Sequence, residues 1–191
     1  IRSDDKVVCW GSNSFGCHGL NGGRYWNGGA TKYRGLGTSE SLIGNNLVIS
    51  QLGAGGSTSY TAAKFGASYG ADINSNANSV CVIMTDGTAK CLGSKWLAGQ
   101  DWGGVATEWS FQWLGATAGE MATLGFINFG GDTVETITIG YEFACAIMSD
   151  LETIRCWGRN TDGQLGYGTT ESWGVHPTTN PRANLPAKVL V

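Results

Sequence analysis

The sequence predicts an all-β fold built from repeated units, and three observations support this prediction. Glycine contributes 31 of the 191 residues, roughly twice its usual share, and lacks the every-third-residue period of collagen. Hydrophobic residues make up 41% of the chain and aromatic residues 10%, which is too much for a disordered segment. Several short β-branched runs, each closed by a turn, recur along the chain. The chain is therefore expected to fold into small antiparallel units.

Three segments of the chain are similar to one another. The clearest pair is residues 79–93 and residues 143–158, and residues 1–11 align with the second half of both. Each segment places a cysteine before a tryptophan or leucine, with a glycine immediately after it. Downstream, residues 9–19 overlay residues 156–166. Self-similarity of this kind predicts several copies of one supersecondary unit.

Residues 79–93 have the pattern of a β-hairpin. Apolar and β-branched residues fill positions 80–84, and the loop at residues 85–87 ends in a glycine. In a three-residue hairpin loop, glycine takes the left-handed position of a bulge. This register places Cys81 opposite Cys91.

Residues 143–158 predict a second hairpin with a four-residue loop at residues 149–152, which places Cys145 opposite Cys156. The alternative is that these cysteines are buried free thiols, which behave as small hydrophobic side chains. Because the opposition recurs despite different loop lengths, we expect two disulfides. Such bonds persist in oxidising compartments, so an extracellular, cell-surface or lumenal location is expected.

The aligned segments resemble the repeat of the regulator of chromosome condensation, a β-propeller family, in its cysteine-bearing form. Residues 145–170 match the family pattern nearly throughout, and residues 119–131 resemble its preceding outer-strand segment. The resemblance implies a partial β-propeller of four-stranded antiparallel blades, with glycine and small residues at the crowded axis. Trp10 and Trp157 share one repeat position, where packing between blades is expected.

The resemblance divides the chain into four parts. Residues 1–46 would hold the C-terminal half of a blade plus an insert, residues 47–110 a second blade and residues 111–183 a third. Residues 184–191 would be the first strand of a further blade. Since a propeller needs about 4–8 blades to close, we expect a segment of a longer protein or a piece completed by a neighbouring chain.

Two of the six cysteines, Cys9 and Cys17, lie outside the predicted hairpin pairs. They could pair with each other across the intervening turn. Alternatively, Cys9 pairs with a cysteine upstream of the first residue and Cys17 finds another partner. The sequence favours Cys9 with Cys17, because both would otherwise be unpaired within the chain.

Two clusters of aromatic residues fall in poorly matched inserts, and they suggest a second function. Side chains that stack on sugar faces are available at both clusters, which would suit a carbohydrate-binding lectin. The alternative is that they only pack the inserts onto blade edges. The candidates are Tyr25, Trp26 and Tyr33 in the first insert, and Trp102, Trp109 and Trp113 in the second.

Several chemistries are not expected. Net charge is −3 with the basic residues scattered singly, so a nucleic-acid partner is not expected, and no apolar run approaches the length of a membrane span. The string at residues 66–70 resembles a nucleophile elbow without a following helical period. Residues 72–83 open like a calcium loop but lack its glycine and glutamate. His18 and His176 have no metal-ligand spacing, so no metal site is expected. No cofactor-binding or catalytic motif stands out either, so no cofactor and no catalysis are expected.

The predicted function is therefore that of a non-catalytic extracellular or lumenal β-propeller segment, acting as a structural or protein-binding module. Its partner would be a protein or the remaining blades of the same protein, with a glycan as the alternative. Fold alone does not assign a partner.

Overall fold

The computed structural model describes residues 1–9, 24–27, 30–33, 50–67, 79–94, 113–114, 124–174 and 188–189. Over this part of the chain the regular structure is β-strand apart from a short 3-10 turn at Ala54–Gly56, which confirms the all-β class. The strands are β1 Arg24–Asn27, β2 Ala30–Tyr33, β3 Ala62–Ala67, β4 Val80–Met84, β5 Ala89–Ser94, β6 Trp113–Leu114, β7 Val134–Ile139, β8 Phe143–Met148, β9 Thr153–Gly158 and β10 Lys188–Val189.

The strands form two four-stranded antiparallel sheets and one two-stranded ribbon. The first sheet has the order β3-β4-β5-β6, the second has the order β7-β8-β9-β10, and the ribbon is β1-β2. Strands that follow one another in the chain are neighbours in each sheet. This is the four-stranded antiparallel blade that the resemblance implies.

The hairpin of the first sheet has the predicted register. Cys81 lies opposite Cys91, and the two form a disulfide with a Cα–Cα distance of 4.0 Å. Gly87 takes the left-handed position with φ of 80°, and a Cβ there would lie 2.5 Å from the Cβ of Thr133. The Thr88 amide donates to Asp86 Oδ1 at 2.9 Å, which lowers the pKa of that carboxyl together with the Thr88 hydroxyl bond.

The hairpin of the second sheet follows the same plan with one more residue in its loop. Cys145 lies opposite Cys156, and these also form a disulfide with a Cα–Cα distance of 4.0 Å. Leu151 takes the left-handed position with φ of 60°, although it carries a side chain. Asp150 accepts hydrogen bonds from the Thr153 hydroxyl and amide. Different loops therefore end in the same cysteine register.

Residues 1–9 repeat the turn and returning strand of these hairpins. The Arg2 amide donates to the Lys6 carbonyl at 2.8 Å, which matches the 2.8 Å bond from Met84 to Thr88. Asp5 has φ of 59°, close to the values at the left-handed positions of the other two turns. The predicted relation of this segment to the second half of the hairpin is thus reproduced by its backbone hydrogen bonds.

The outer edge of each returning strand is paired with segments that follow it in the chain. Near the turn, one residue of each returning strand pairs with the start of the next unit, either by accepting a backbone hydrogen bond or through a β-bridge. The pairs are Ser50 with Val7, Ile127 with Ala89, and Lys188 with Ile154. These pairings satisfy backbone groups that would otherwise be open along the strand edge.

The outermost strands of the two sheets come from segments well beyond the hairpins. Strand β6 pairs with β5 at Gly93 and Ser94, and β10 pairs with β9 at Thr153 and Ile154. The open edge of a returning strand thus takes its partner from a later stretch of chain, so a repeat in the sequence and a sheet in space are offset. The blade boundaries given above stay a prediction.

The hydrophobic core is divided into two layers. One layer lies between the two sheets, and the other lies between the first sheet and residues 1–9. The first sheet is thus covered on both faces, with Ile83 on one side and Val82 on the other at 2% and 1% exposure. Trp157 is fully buried between the sheets, edge-on to Phe129, which is the packing role predicted for it.

The strands β3 and β7 approach each other closely where the two sheets meet. A Cβ on Gly66 would lie only 2.4 Å from the Ile137 carbonyl oxygen, so this position requires glycine. Lys64 Nζ donates to the Glu135 carboxylate and, at 3.1 Å, to its carbonyl. The crowding at these strands agrees with the small residues expected near a propeller axis.

Candidate interaction surface

The second sheet is buried on one face and only partly covered on the other. Along β8, Ala144, Ala146 and Met148 are buried against the first sheet, whereas Phe143 and Ile147 are partly exposed. We call the second face, which also carries Cys145, Ile154 and Cys156, the open face. It presents an apolar sheet surface without a second layer in the described part of the chain.

The corresponding face of the first sheet shows how such a surface is normally covered. Cys81 and Ile83 occupy the positions of Cys145 and Ile147, and they are 0% and 2% exposed. Their cover comes from the following unit, which contributes Ile127, Phe129, Val134 and Ile137. The open face therefore has the residue types of a buried interface, including the disulfide at its centre.

The open face carries bulkier side chains than its counterpart. By register, Phe143 stands where the first sheet has Ser79, Ile154 where it has Ala89, and Thr138 where it has Gly66. The close approach that Gly66 permits cannot be repeated at Thr138, because a Cβ needs more room. A surface that covers the open face must be shaped differently from the unit that covers the first sheet.

The edge of the second sheet is protected along β9, so docking at the open face would use side chains and not strand pairing. The Tyr167 hydroxyl accepts from the Cys156 amide at 2.7 Å and donates to its carbonyl at 3.0 Å. Gly158 forms an antiparallel bridge with Trp173 further along, and β10 pairs at the turn end. The sequence did not predict this role for Tyr167, because no residue pattern indicates that its hydroxyl bonds to the backbone of a strand residue eleven positions earlier.

A buried asparagine holds the loop that follows β9. Asn160 is 0% exposed, and its side-chain amide donates to the carbonyls of Thr169 and Glu171 while its oxygen accepts from the Leu165 amide. These bonds fix the W-G-x-N-x-x-G-Q-L-G stretch as one rigid loop. The loop in turn positions Tyr167 against β9.

Ion pairs flank the second sheet away from the open face. Arg155 pairs with Asp132, and Arg159 pairs with the buried carboxylate of Glu142 at 2.9 Å. The bond to Glu142 raises the pKa of Arg159, so this guanidinium stays charged. These ion pairs stabilise the turns beside the sheet, and their charges are paired with each other.

A lysine is buried in the layer between the first sheet and residues 1–9. Lys90 is 0% exposed; its ammonium lies 3.4 Å from the Gly53 carbonyl oxygen and 4.8 Å from the centre of the Phe126 ring. Burial lowers the pKa of Lys90 to about 8. Lys90 lies opposite Val82 in the predicted hairpin register, and this apolar neighbour indicates an inward position for the lysine side chain.

The predicted disulfide residues have three outcomes. The pairs Cys81–Cys91 and Cys145–Cys156 are formed as predicted. Cys9 is a free, partly buried thiol at the position equivalent to Cys91; burial raises its pKa, and a hydrogen bond with Ser50 opposes the shift. Because Cys9 is a free thiol here, the predicted Cys9–Cys17 disulfide is not formed, and Cys17 itself lies outside the described residues.

The aromatic candidates are placed in part. Tyr25, Trp26 and Tyr33 lie on the β1-β2 ribbon, where Trp26 is opposite Thr31 and Tyr33 is opposite Arg24. Alternate strand positions share a face, so the positions of Trp26 and Tyr33 are on the same side of the ribbon. Trp113 is in β6, apart from that ribbon in the sheet order. Trp102 and Trp109 lie outside the described residues, as do Trp10, His18 and His176.

Within the described residues, no group of three or more histidine, cysteine, aspartate or glutamate side chains is placed to hold a metal ion. The same part of the chain contains no helix long and apolar enough to cross a membrane.

Comparison with known proteins connects this architecture to one family. Residues 134–164 match the family model described as the regulator of chromosome condensation (RCC1) repeat. They contain β7, β8, β9 and the Asn160 loop, so the predicted resemblance is confirmed at the clearest copy of the repeat. Comparison with curated proteins gave no match.

Three solved structures align with this chain, two of them with a TM-score above 0.5. Human WBSCR16 aligns with a TM-score of 0.52 and 15% identity, over 98% of this chain and 34% of that one. Prp20p from Saccharomyces cerevisiae, described with its binding to Gsp1p and histones, aligns with a TM-score of 0.51 and 15% identity, over 90% of this chain and 33% of that one. Yeast RCC1 (Prp20) bound to Kap60 aligns with a TM-score of 0.48 and 12% identity, over 90% and 32%.

The chain spans about a third of the length of each of these structures. At this level of identity the likeness concerns the fold alone. Together with the four-stranded sheets, it confirms the predicted partial β-propeller.

Proposed function

We propose that this chain, whose residues 134–164 carry the regulator-of-chromosome-condensation repeat, is a non-catalytic β-propeller segment that binds protein through its open face. The observation that carries the proposal is the contrast between the two sheets. Ile83 is 2% exposed beneath the following unit, whereas Ile147, at the same register position, is partly exposed. An apolar sheet surface of this kind is stabilised by a partner that removes it from water.

The proposed occupant is a further blade, supplied by the same protein or by a neighbouring chain. Its contact surface must be apolar and must leave room for Phe143 and Ile154, which are larger than their counterparts in the first sheet. Prp20p is described as binding the proteins Gsp1p and histones, and this supports protein as the class of ligand. The partner's identity does not transfer at 15% identity.

The proposed location is extracellular, cell-surface or lumenal. Two hairpins with different loops each form a cross-strand disulfide, and such bonds persist where thiols are not kept reduced. Fractionation of the source cells tests this point: recovery of the protein in a reducing compartment with both cysteine pairs as thiols would contradict it.

Hydroxyl-radical footprinting tests the binding proposal. Native material from the source is compared with the isolated chain, and oxidation is read at Phe143 and Ile147. Both should be oxidised several-fold less in the native material, because a partner covers them. Tyr141, which is 53% exposed in the turn beside the sheet, is the control and should react equally in both. Equal oxidation of Phe143 and Ile147 in the two preparations would reject the proposal.

A carbohydrate-binding function is the second candidate, and the ribbon register favours it at one site. Trp26 and Tyr33 occupy positions on the same side of β1-β2, as a stacking platform requires, whereas Tyr25 is on the other side. A glycan array should then show binding that Trp26→Ala abolishes and the matched Tyr25→Ala retains. Absence of any glycan binding by the unsubstituted chain would eliminate this candidate.

A further inference from the structure

The two disulfides of the chain have the same geometry in the hairpin but different surroundings. Both join directly opposed residues, and both have a Cα–Cα distance of 4.0 Å. Cys81 and Cys91 are 0% exposed, sealed between the two sheets. Cys145, in contrast, is partly exposed on the open face, while Cys156 is 8% exposed. One chain thus contains a buried bond and an accessible bond in otherwise matched positions.

We propose that Cys145–Cys156 is a thiol–disulfide exchange site, open to small monothiols such as glutathione, and that Cys81–Cys91 is closed to them in the folded protein. This inference rests on the open face described for the proposed function. Exchange requires a thiolate to reach one sulfur along the S–S axis, so access decides which bond reacts. The first sheet gives no such access without separating the two sheets.

The geometry assigns the Cys145 sulfur as the point of attack, because Cys145 is the more exposed residue of the two. A glutathione thiolate attacks Cys145 Sγ, forms a mixed disulfide there and displaces the Cys156 thiolate, which takes a proton from water. A second glutathione thiolate then attacks the glutathione sulfur of the mixed disulfide. Oxidised glutathione leaves and Cys145 becomes a thiol, so two electrons pass from two glutathione molecules to the protein disulfide.

The consequence concerns the proposed interface. The bond lies at the centre of the surface that a partner would cover, so a docked partner shields it from thiols and a mixed disulfide at Cys145 blocks docking. A bound partner therefore favours the intact disulfide, and the mixed disulfide at Cys145 excludes a bound partner, because both use the same surface.

Differential alkylation of the full chain tests the inference. Free thiols, including Cys9, are first blocked with N-ethylmaleimide under native conditions. Reduced glutathione is then added near neutral pH, and new thiols are trapped with iodoacetamide and assigned by peptide mass spectrometry. Cys145 and Cys156 should be alkylated at least about tenfold faster than Cys81 and Cys91, because the buried pair reacts only when the structure opens.

The buried pair is the matched control within the same molecule. In concentrated guanidinium the two bonds should react at similar rates, which attributes the native difference to burial. Equal native rates, or faster reaction of Cys81–Cys91, would overturn the inference, and a mixed disulfide mainly on Cys156 would overturn the assigned point of attack. Selective reduction of the isolated chain is independent of any partner, so its failure is distinguishable from failure of the footprinting test.

Discussion

Replacing the buried Lys90 with methionine should make the protein more stable at neutral pH. The lysine places an ammonium in an apolar layer, where it makes one long hydrogen bond to the Gly53 carbonyl and lies over the face of Phe126. Methionine has a similar length and no charge, so it fills the same space without desolvating an ion. The expected sign is opposite to that of an ordinary core substitution.

The magnitude follows from the pKa of Lys90, which burial lowers from its usual 10.5 to about 8. At 1.36 kcal/mol per pH unit, this corresponds to a cost of about 3 kcal/mol while the lysine is charged in both the folded and the unfolded chain. The pKa already includes what the Gly53 hydrogen bond and the Phe126 contact contribute to the charged form. Lys90→Met should therefore raise the free energy of unfolding by about 2 to 3 kcal/mol at pH 7.

The pH dependence separates this reasoning from a simple packing effect. Between about pH 8 and 10.5 the unfolded chain binds more protons than the folded chain at this site, so the unsubstituted protein gains stability as pH rises. Below about pH 8 the lysine is charged in both states and its cost is constant. The advantage of Lys90→Met should consequently shrink by about 2 kcal/mol between pH 7 and 9.5.

Urea unfolding with intact disulfides and blocked free thiols measures both effects. The matched control is Lys64→Met, since the Lys64 side chain is half exposed and its replacement relieves no comparable burial of charge. If Lys90→Met destabilises the protein at pH 7, or if its advantage is the same at both ends of the pH range, the account of Lys90 as a desolvated ion is wrong.

Three further predictions test the fold. Gly87→Ala should lower the free energy of unfolding by about 2 kcal/mol or more in thermal unfolding, because φ is 80° and the new Cβ would meet Thr133. Gly163→Ala is the control, with φ of 74° and open space around the new Cβ, and should cost about 1 kcal/mol. Equal losses for the two variants would contradict the clash with Thr133. Tyr167→Phe removes both hydrogen bonds between the Tyr167 hydroxyl and the Cys156 backbone, so hydrogen exchange of the Cys156 amide should become faster. An unchanged exchange rate would show that this hydroxyl does not protect β9. Asn160→Ala removes three hydrogen bonds to the backbone, one of them to the buried Leu165 amide, and should cost about 2 to 4 kcal/mol in urea unfolding; a loss below about 1 would show that the loop does not depend on it.

The hairpins could be predicted from the sequence because their determinants are local. The loop glycine, the alternation of apolar residues and the cysteine spacing act within about a dozen residues, and they place Cys81 opposite Cys91 without reference to the rest of the chain. The outer strand pairings could not be predicted in the same way. The partner of β9 is Lys188–Val189, far along the chain, and such an edge pairing depends on tertiary geometry.

The candidate surface was hidden from sequence reasoning for a different reason. Ile147 and Cys145 have the same residue types as Ile83 and Cys81, so the pattern indicates burial for all four. Only the arrangement of the sheets distinguishes a covered face from an open one. Lys90 is the reverse case, since a charged residue beside a cysteine suggests a solvated position although its face is apolar.

The edge pairings of Ser50, Ile127 and Lys188 make each unit depend on the one that follows it. A hairpin whose outer edge is completed by the next stretch of chain loses a strand partner when that stretch unfolds. Unfolding should therefore spread from unit to unit through nearest-neighbour coupling, as in other repeat architectures. During synthesis the same dependence means that a hairpin reaches its final stability only after the start of its successor has left the ribosome.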